Sequence, residues 1–255
     1  LRDKVASGVA WSMAEKVGTM LLQLAVSLTI LRLLNPAIMG VIAIPTAFLA
    51  VAIVIADSGF SQALIRKGTP TADDYKSVFA FNVGVALVLY GVLVALAGSI
   101  ARFYDMPEIT RIAPVFFLQL PLSAACAIQN TIFVRTFRFA LLSKVTFASW
   151  FIAGMVAIGL ALAGFGIWCI VVQRVLQASV RALLLWWLSD WRPCGKCSRR
   201  PLREMAPYSF SLLATDFIST LYNKVPQIFL GKLYPQETLC LLYTSPSPRD
   251  GLLSR

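Results

Sequence analysis

Histidine is missing from this chain altogether. Its absence removes His general-base chemistry, Ser-His triads and any His-ligated metal site. Acidic residues are scarce, 12 Asp and Glu against 23 Lys and Arg, which leaves a formal net charge of +11. Charge of either sign is thin, at 14% of residues, whereas 58% are hydrophobic and the mean hydropathy is +0.75. Such a balance excludes a soluble domain that hides its apolar surface in one core, and lipid must be the main solvent. Of the five cysteines, Cys126 and Cys169 fall in apolar runs, Cys240 lies near the end, and Cys194 and Cys197 form a lone Cys-x-x-Cys. Without a second pair of ligands that spacing reads as an ordinary loop. No metal and no cofactor is expected.

What the chain has in abundance is long apolar runs separated by short gaps, and every second gap is basic. The loaded gaps hold Arg2 and Lys4, then Arg66, Lys67 and Lys76, then Arg135, Arg138 and Lys144, then Arg192, Lys196, Arg199, Arg200 and Arg203. The others hold Arg32, then Arg102 and Arg111, then none. Positive loops stay on the cytoplasmic side, so the N-terminus is expected inside and the chain is expected to cross a membrane many times. Because the cations sit in short loops rather than on one face of a domain, anionic lipid headgroups are the expected partner and nucleic acid is not.

Since a bilayer core takes about 20 apolar residues in a helix, the pattern predicts spanning helices over 9–34, 39–64, 77–100, 109–133, 140–163, 167–188 and 207–233. The first stretch contains Glu15 and Gln23 and shows no small-residue cleavage pattern, so it reads as a span rather than a signal peptide. Trp168 at one end of the sixth helix and Trp186 and Trp187 at the other fit aromatic belts. A faint repeat relates Ile30–Pro36 to Phe229–Pro235, each at the end of a helix that leaves a basic segment. It suggests a six-helix transmembrane bundle over 1–190, a basic cytoplasmic linker over 191–206, and the first helix of a second, parallel bundle over 207–239. Residues 240–255, with Pro246 and Pro248 breaking any helix, read as a non-native tail, so a C-terminal truncation is expected.

Ionisable groups inside a span cost about 2.5–3.5 kcal/mol at a helix centre on insertion scales, and each needs a reason. Arg174, Gln177 and Arg181 repeat at i, i+3, i+7 and form one polar stripe near the middle of the sixth helix. Two guanidiniums and a carboxamide on one face suit a cavity that receives phosphate oxygens; snorkelling to the interfaces is the alternative. In the seventh helix Asp216 and Asn223 share a face with Lys224 beside them, either as functional groups or as an Asp–Lys structural pair. Glu15, Lys16 and Asp57, at the inner ends of the first two helices, are ion-coupling candidates, with capping or pairing as the rival for Asp57. Gln23, Asn82, Gln119 and Asn130 are neutral, and helix–helix hydrogen bonds would account for them.

Several spaced motifs then resemble a known family: GVAW at 8–11, LRLLNP at 31–36 running on to Gly40, IADSGF at 55–60 with ALI at 63–65, IARFY at 100–104, RTFRF at 135–139, GFGIW at 164–168 and WRP at 191–193. Together they cover residues 1 to about 239 and resemble bacterial Wzx-type polysaccharide and O-antigen flippases. The nearest branch is the lipopolysaccharide, colanic acid and teichuronic acid exporters of the multidrug, oligosaccharidyl-lipid and polysaccharide exporter superfamily. The resemblance implies an all-α, MATE-like fold of two six-helix bundles around a cleft, here the first bundle and the first helix of the second, in the bacterial inner membrane. It implies a polyprenyl-pyrophosphate-linked oligosaccharide as substrate, moved by alternating access through a cationic cavity and driven by an ion gradient. Polysaccharide polymerase machinery is a further candidate partner. The cavity would be lined by Arg174, Gln177, Arg181 and Asp216. Two other readings stay open: a drug or cation antiporter of the same superfamily, which would want mid-depth acids where the sixth helix has arginines, and a membrane-embedded polysaccharide-processing enzyme, which would want more paired carboxylates than Asp105 and Glu108.

Overall fold

The computed structural model describes residues 2–33, 36–193, 195 and 197–233, and side chains are described from Val17 to Val225, apart from a few near the first turn and in the loop around Cys194. The side chains of Glu15 and Lys16, those of the second half of the repeat, and the tail at 240–255 lie outside what it describes. Among the described residues every regular element is a helix: α1 (Arg2–Leu33), α2 (Pro36–Asp57), α3 (Phe60–Arg66), α4 (Ala72–Phe103), α5 (Glu108–Phe116), α6 (Gln119–Arg135), α7 (Phe139–Leu162), α8 (Trp168–Leu188) and α9 (Arg199–Leu233). Five stretches are long and apolar enough to cross a membrane: Gly40–Asp57, Ala72–Phe103, Glu108–Arg135, Phe139–Leu162 and Trp168–Leu188. The described apolar part of α1, Val17–Ile30, is shorter. This is an all-helical, multi-pass membrane protein, and its helices follow the seven expected runs with two internal breaks.

The first break splits the expected second helix between α2 and α3. Ser58 and Gly59 both take positive φ, 48° and 71°, a region that L residues other than glycine rarely enter. The apolar run continues through the break, so periodicity alone hides it. Gly59 is also where α3 meets α9: a Cβ there would stand 2.6 Å from the Ser209 carbonyl oxygen and 3.1 Å from Leu212 Cβ. The second break separates α5 from α6 at Phe117 and Leu118. Pro121, in the first turn of α6, has no N–H to continue the ladder; the Leu120 N–H goes to Phe117 O at 2.9 Å, and the Gln119 side chain donates to the Phe116 carbonyl at 2.8 Å.

Packing follows small residues. On α7, Ser149, Ala153, Ala157 and Ala161 recur every fourth position and are buried with Gly154. This smooth stripe lets α7 lie close to α1 and α8, as small residues do between membrane helices; Val26 Cγ2 of α1 stands only 2.8 Å from where a Cβ on Gly154 would be. The main core joins Val26 and Ile30 of α1 to Ile44, Ala86, Ile109, Phe116, Leu120, Ala157 and Val171. Large apolar side chains also cover the outside, among them Met20, Val88, Met155 and Leu183, as expected of a surface solvated by lipid.

The basic end of the bundle is knitted more tightly than a set of free loops. Arg135 donates to the Leu64 carbonyl, to Ile65 O at 3.1 Å, to Lys67 O at 2.6 Å and to Gly68 O at 3.1 Å, closing the C-terminus of α3. Thr71 and Asp74 form a capping box on α4, and Lys67 bridges Asp74 at 2.8 Å to Glu204 of α9 at 3.7 Å. Around them Phe60, Leu64, Val78, Ile128 and Met205 form a second core. Trp187 is 80% exposed and suits the aromatic-belt expectation. Trp186 does not: its indole donates to the Ala125 carbonyl at 3.0 Å and packs on Phe79 and Trp191, because its side of α8 faces α6 rather than lipid.

Candidate functional site

Two polar cavities open side by side inside the bundle and share Ser123 and Ala127 of α6 as a common wall. The smaller, about 130 Å³, is lined by Gln177, Ala178 and Arg181 of α8 and by Ser123, Cys126, Ala127 and Asn130 of α6. Four residues, about one helical turn, separate 177 from 181, and Gln177 and Arg181 of the expected stripe come to one cavity. Arg181 Nη2 donates to Asn130 Oδ1 at 3.3 Å, and its Nε is buried without a partner. A guanidinium held by one bond with another N–H unused is an oriented donor.

The third member of the stripe goes elsewhere. Arg174 stands over the ring of Trp150 of α7, 5.7 Å from its centroid, and its field reaches Lys224 of α9. Seven residues at about 1.5 Å each put Arg174 about 10 Å farther from the basic end than Arg181, and Lys224 lies eight residues farther along α9 than Asp216. These three cations thus form two levels: Arg181 in the cavity and, beyond it, Arg174 near Lys224. None of the three is in an ion pair with a described acid.

The larger cavity, about 250 Å³, is lined by Asp57 of α2, Asn82 of α4, Ser123 of α6 and Asp216 of α9, with an otherwise mostly apolar wall. Asp57 accepts a hydrogen bond from Ser61 of α3, a bond made possible by the turn at Ser58 and Gly59. Asn82 is completely buried, and neither its amide oxygen nor its amide nitrogen has a partner. Asp216 therefore lines a different cavity from Arg181, across the shared α6 wall, and among the described residues it is not paired with Lys224. Asn223 is exposed.

Sequence reasoning passed over Ser123 and took Asn82 and Asn130 as helix–helix links. Asn130 does bridge two helices, to Arg181, but Asn82 does not. The signal available was the position of a carboxamide inside an otherwise apolar span. Among the described residues no three His, Cys, Asp or Glu side chains come together as metal ligands would.

A multi-pass helical protein with polar, partly unneutralised cavities at mid-bundle has the makings of a membrane carrier. Residues 29–247 match the family model described as polysaccharide biosynthesis protein, and the chain belongs to that family. It is 24% identical over 228 residues to the succinoglycan biosynthesis transport protein ExoT of Rhizobium meliloti (strain 1021), a match covering 89% of this chain and 46% of ExoT. It is 23% identical over 192 residues to the teichuronic acid biosynthesis protein TuaB of Bacillus subtilis (strain 168), covering 73% of this chain and 39% of TuaB. Against the amylovoran biosynthesis protein AmsL of Erwinia amylovora the identity is 21% over 182 residues, 70% of this chain and 47% of AmsL. The chain spans about half the length of the curated relatives it matches. No solved structure matches it.

Proposed function

We propose that this chain forms the first half of a transporter that moves a polyprenyl-pyrophosphate-linked oligosaccharide across the bacterial inner membrane. The N-terminus and the basic end face the cytoplasm in this reading, which follows from the placement of Lys and Arg. The observation that carries it is the set of unpaired cations inside the bundle, Arg181 at the smaller cavity and Arg174 near Lys224 beyond it. Cations without acid partners attract an anion that comes between them. Pyrophosphate oxygens match guanidinium forks in geometry as well as charge. Gln177, Asn130 and Ser123 offer the neutral donors and acceptors that sugar hydroxyls need, while the prenyl tail stays in lipid. The headgroup passes from Arg181 to the Arg174 level as a second bundle rocks against the first, and the substrate drives that shift to the extent that it binds the two states differently.

Membership of the family, and the similarity to ExoT, a transport protein by name, favour carriage over catalysis. Machinery that polymerises the outer-leaflet product is the corresponding partner class. The test is complementation: a full-length gene in a cell lacking its own flippase should restore surface polysaccharide. Arg174→Ala with Arg181→Ala should abolish that restoration while leaving the amount of protein in the membrane unchanged. Export that survives the double substitution would remove these arginines from the substrate path.

A further inference from the structure

We propose that the larger cavity holds one sugar ring of the lipid-linked oligosaccharide, and that Asn82 reads a pair of neighbouring hydroxyls on that ring. Asn82 of α4 is fully buried, lines the cavity, and leaves both its amide oxygen and its amide nitrogen without a partner. Buried polar atoms nearly always have partners, so two without one on a single side chain call for a ligand. An open acceptor and an open donor side by side on one planar group match two adjacent hydroxyls, one donating to Oδ1 and the other accepting from Nδ2. A metal ion would take up only the oxygen, and the amide NH2 would still be without a partner.

The rest of the wall fits the same ligand. A sugar ring has apolar C–H faces and a rim of hydroxyls. Ile53, Leu120 and Leu213 offer apolar surface to the faces, while Asp57 and Asp216 are acceptors for further hydroxyls. The volume, about 250 Å³, lies below the range of about 300–1,000 Å³ that holds drug-sized ligands, so it suits a single ring rather than a chain of them. Position selects which ring. The cavity shares Ser123 and Ala127 with the smaller one, where Arg181 lies. A headgroup lying over that shared rim, with its pyrophosphate at Arg181, has the sugar next to the pyrophosphate on the Asn82 side. A ring that lacks one of the two hydroxyls leaves half of a buried amide open, and sites of that kind reject such analogues strongly. Asn82 is thereby a specificity-determining residue.

This assignment rests on the flippase reading, and one titration separates the two. The purified full-length protein in detergent is titrated with polyprenyl pyrophosphate and with its glucosyl, galactosyl and N-acetylglucosaminyl derivatives. The wild type is expected to bind at least one glycosylated lipid about tenfold tighter than the bare one. Asn82→Leu, close in size, should lose that gain and keep the affinity for the bare lipid. Asn82→Asp, equal in size and without the NH2 donor, should do the same and serves if the leucine variant does not fold. Arg181→Ala should weaken all four lipids together. Glu108→Gln, an exposed acid of α5 away from the cavity, should match the wild type. A wild type that binds the bare lipid as tightly as all three derivatives, or a sugar gain that survives at Asn82→Leu, would overturn the sugar site while leaving the flippase reading in place. Binding of none of the four lipids would overturn both.

Discussion

At the basic end of the bundle the cations are held by backbone carbonyls, a carboxylate pair and a ring; in the middle they meet no described acid, and Arg181 has one bond, to Asn130, while Arg174 has the Trp150 ring. Arg135 grips the end of α3, Lys67 ties α4 to α9, Lys76 donates to Gly195 O at 2.6 Å, and Arg66 lies 4.5 Å over the Tyr208 ring. Deeper in, Arg174, Arg181 and Lys224 meet no described acid, and Asn82 meets nothing. Pairing is therefore supplied near water, where an ion pair is worth about 0–1 kcal/mol, and withheld in the interior, where an unpaired group costs several times more. Stability alone would distribute partners the other way round. The interior groups make sense as ligands for something that comes and goes, and the basic end as the clamp that holds the helices while it does.

If the basic end is a clamp, breaking it should cost stability and not only topology. Arg135→Ala removes several charged hydrogen bonds to backbone carbonyls at once, and at about 1.5–3 kcal/mol for a bond to a charged group it is expected to cost about 3 kcal/mol. Thermal unfolding in detergent, followed by tryptophan fluorescence, reads this directly. A midpoint equal to wild type would mean that Arg135 serves orientation alone. Gly59→Ala comes next, at about 2 kcal/mol. The left-handed backbone at φ 71° costs an alanine about 1–2 kcal/mol, and the new Cβ would have to push the Ser209 backbone of α9 away from 2.6 Å. Gly84→Ala is the matched control, since open space surrounds that helical position and alanine there should stabilise slightly. Equal midpoints for the two alanines would show that the close α3–α9 approach carries no weight.

These contrasts also mark what could be read from the residues alone. The basic gaps and the apolar runs place the helices because membrane solvation is a property of whole segments, and it averages over details. Breaks within a run depend on single residues. The turn after Asp57 was written in Ser58 and Gly59, a recognised pair of turn residues, yet the hydrophobic pattern runs across them without pause. The break before α6 has Pro114 and Pro121 on either side as its local signs. For the site, helical period groups Gln177 with Arg181, which line one cavity, since that is geometry within one helix. It could not say that Trp150 of α7 faces Arg174, or that Asp57 faces Asp216 across α2 and α9, because those contacts are made between helices and no spacing within either one encodes them. Nor did residue type alone separate Asn130, which binds Arg181, from Asn82, which is left open.

The smallest expected effect on stability is the most informative one. Arg181→Met keeps most of the side-chain length, removes the charge and its single 3.3 Å bond to Asn130, and puts a flexible thioether where Nε had no partner. Replacing a buried charge by an apolar group of similar volume is often neutral or stabilising, so the thermal midpoint should stay within about 0.5 kcal/mol of wild type or rise, while export falls to background. A residue that costs nothing to remove from the fold but is needed for transport is held against the interests of stability, the trade-off expected where function requires an unsatisfied group. A large drop in midpoint would instead place Arg181 with Arg135 as part of the clamp. The difference between the two ends of the molecule would then be one of depth alone, and the anion path would have to be rebuilt around Arg174 and Lys224.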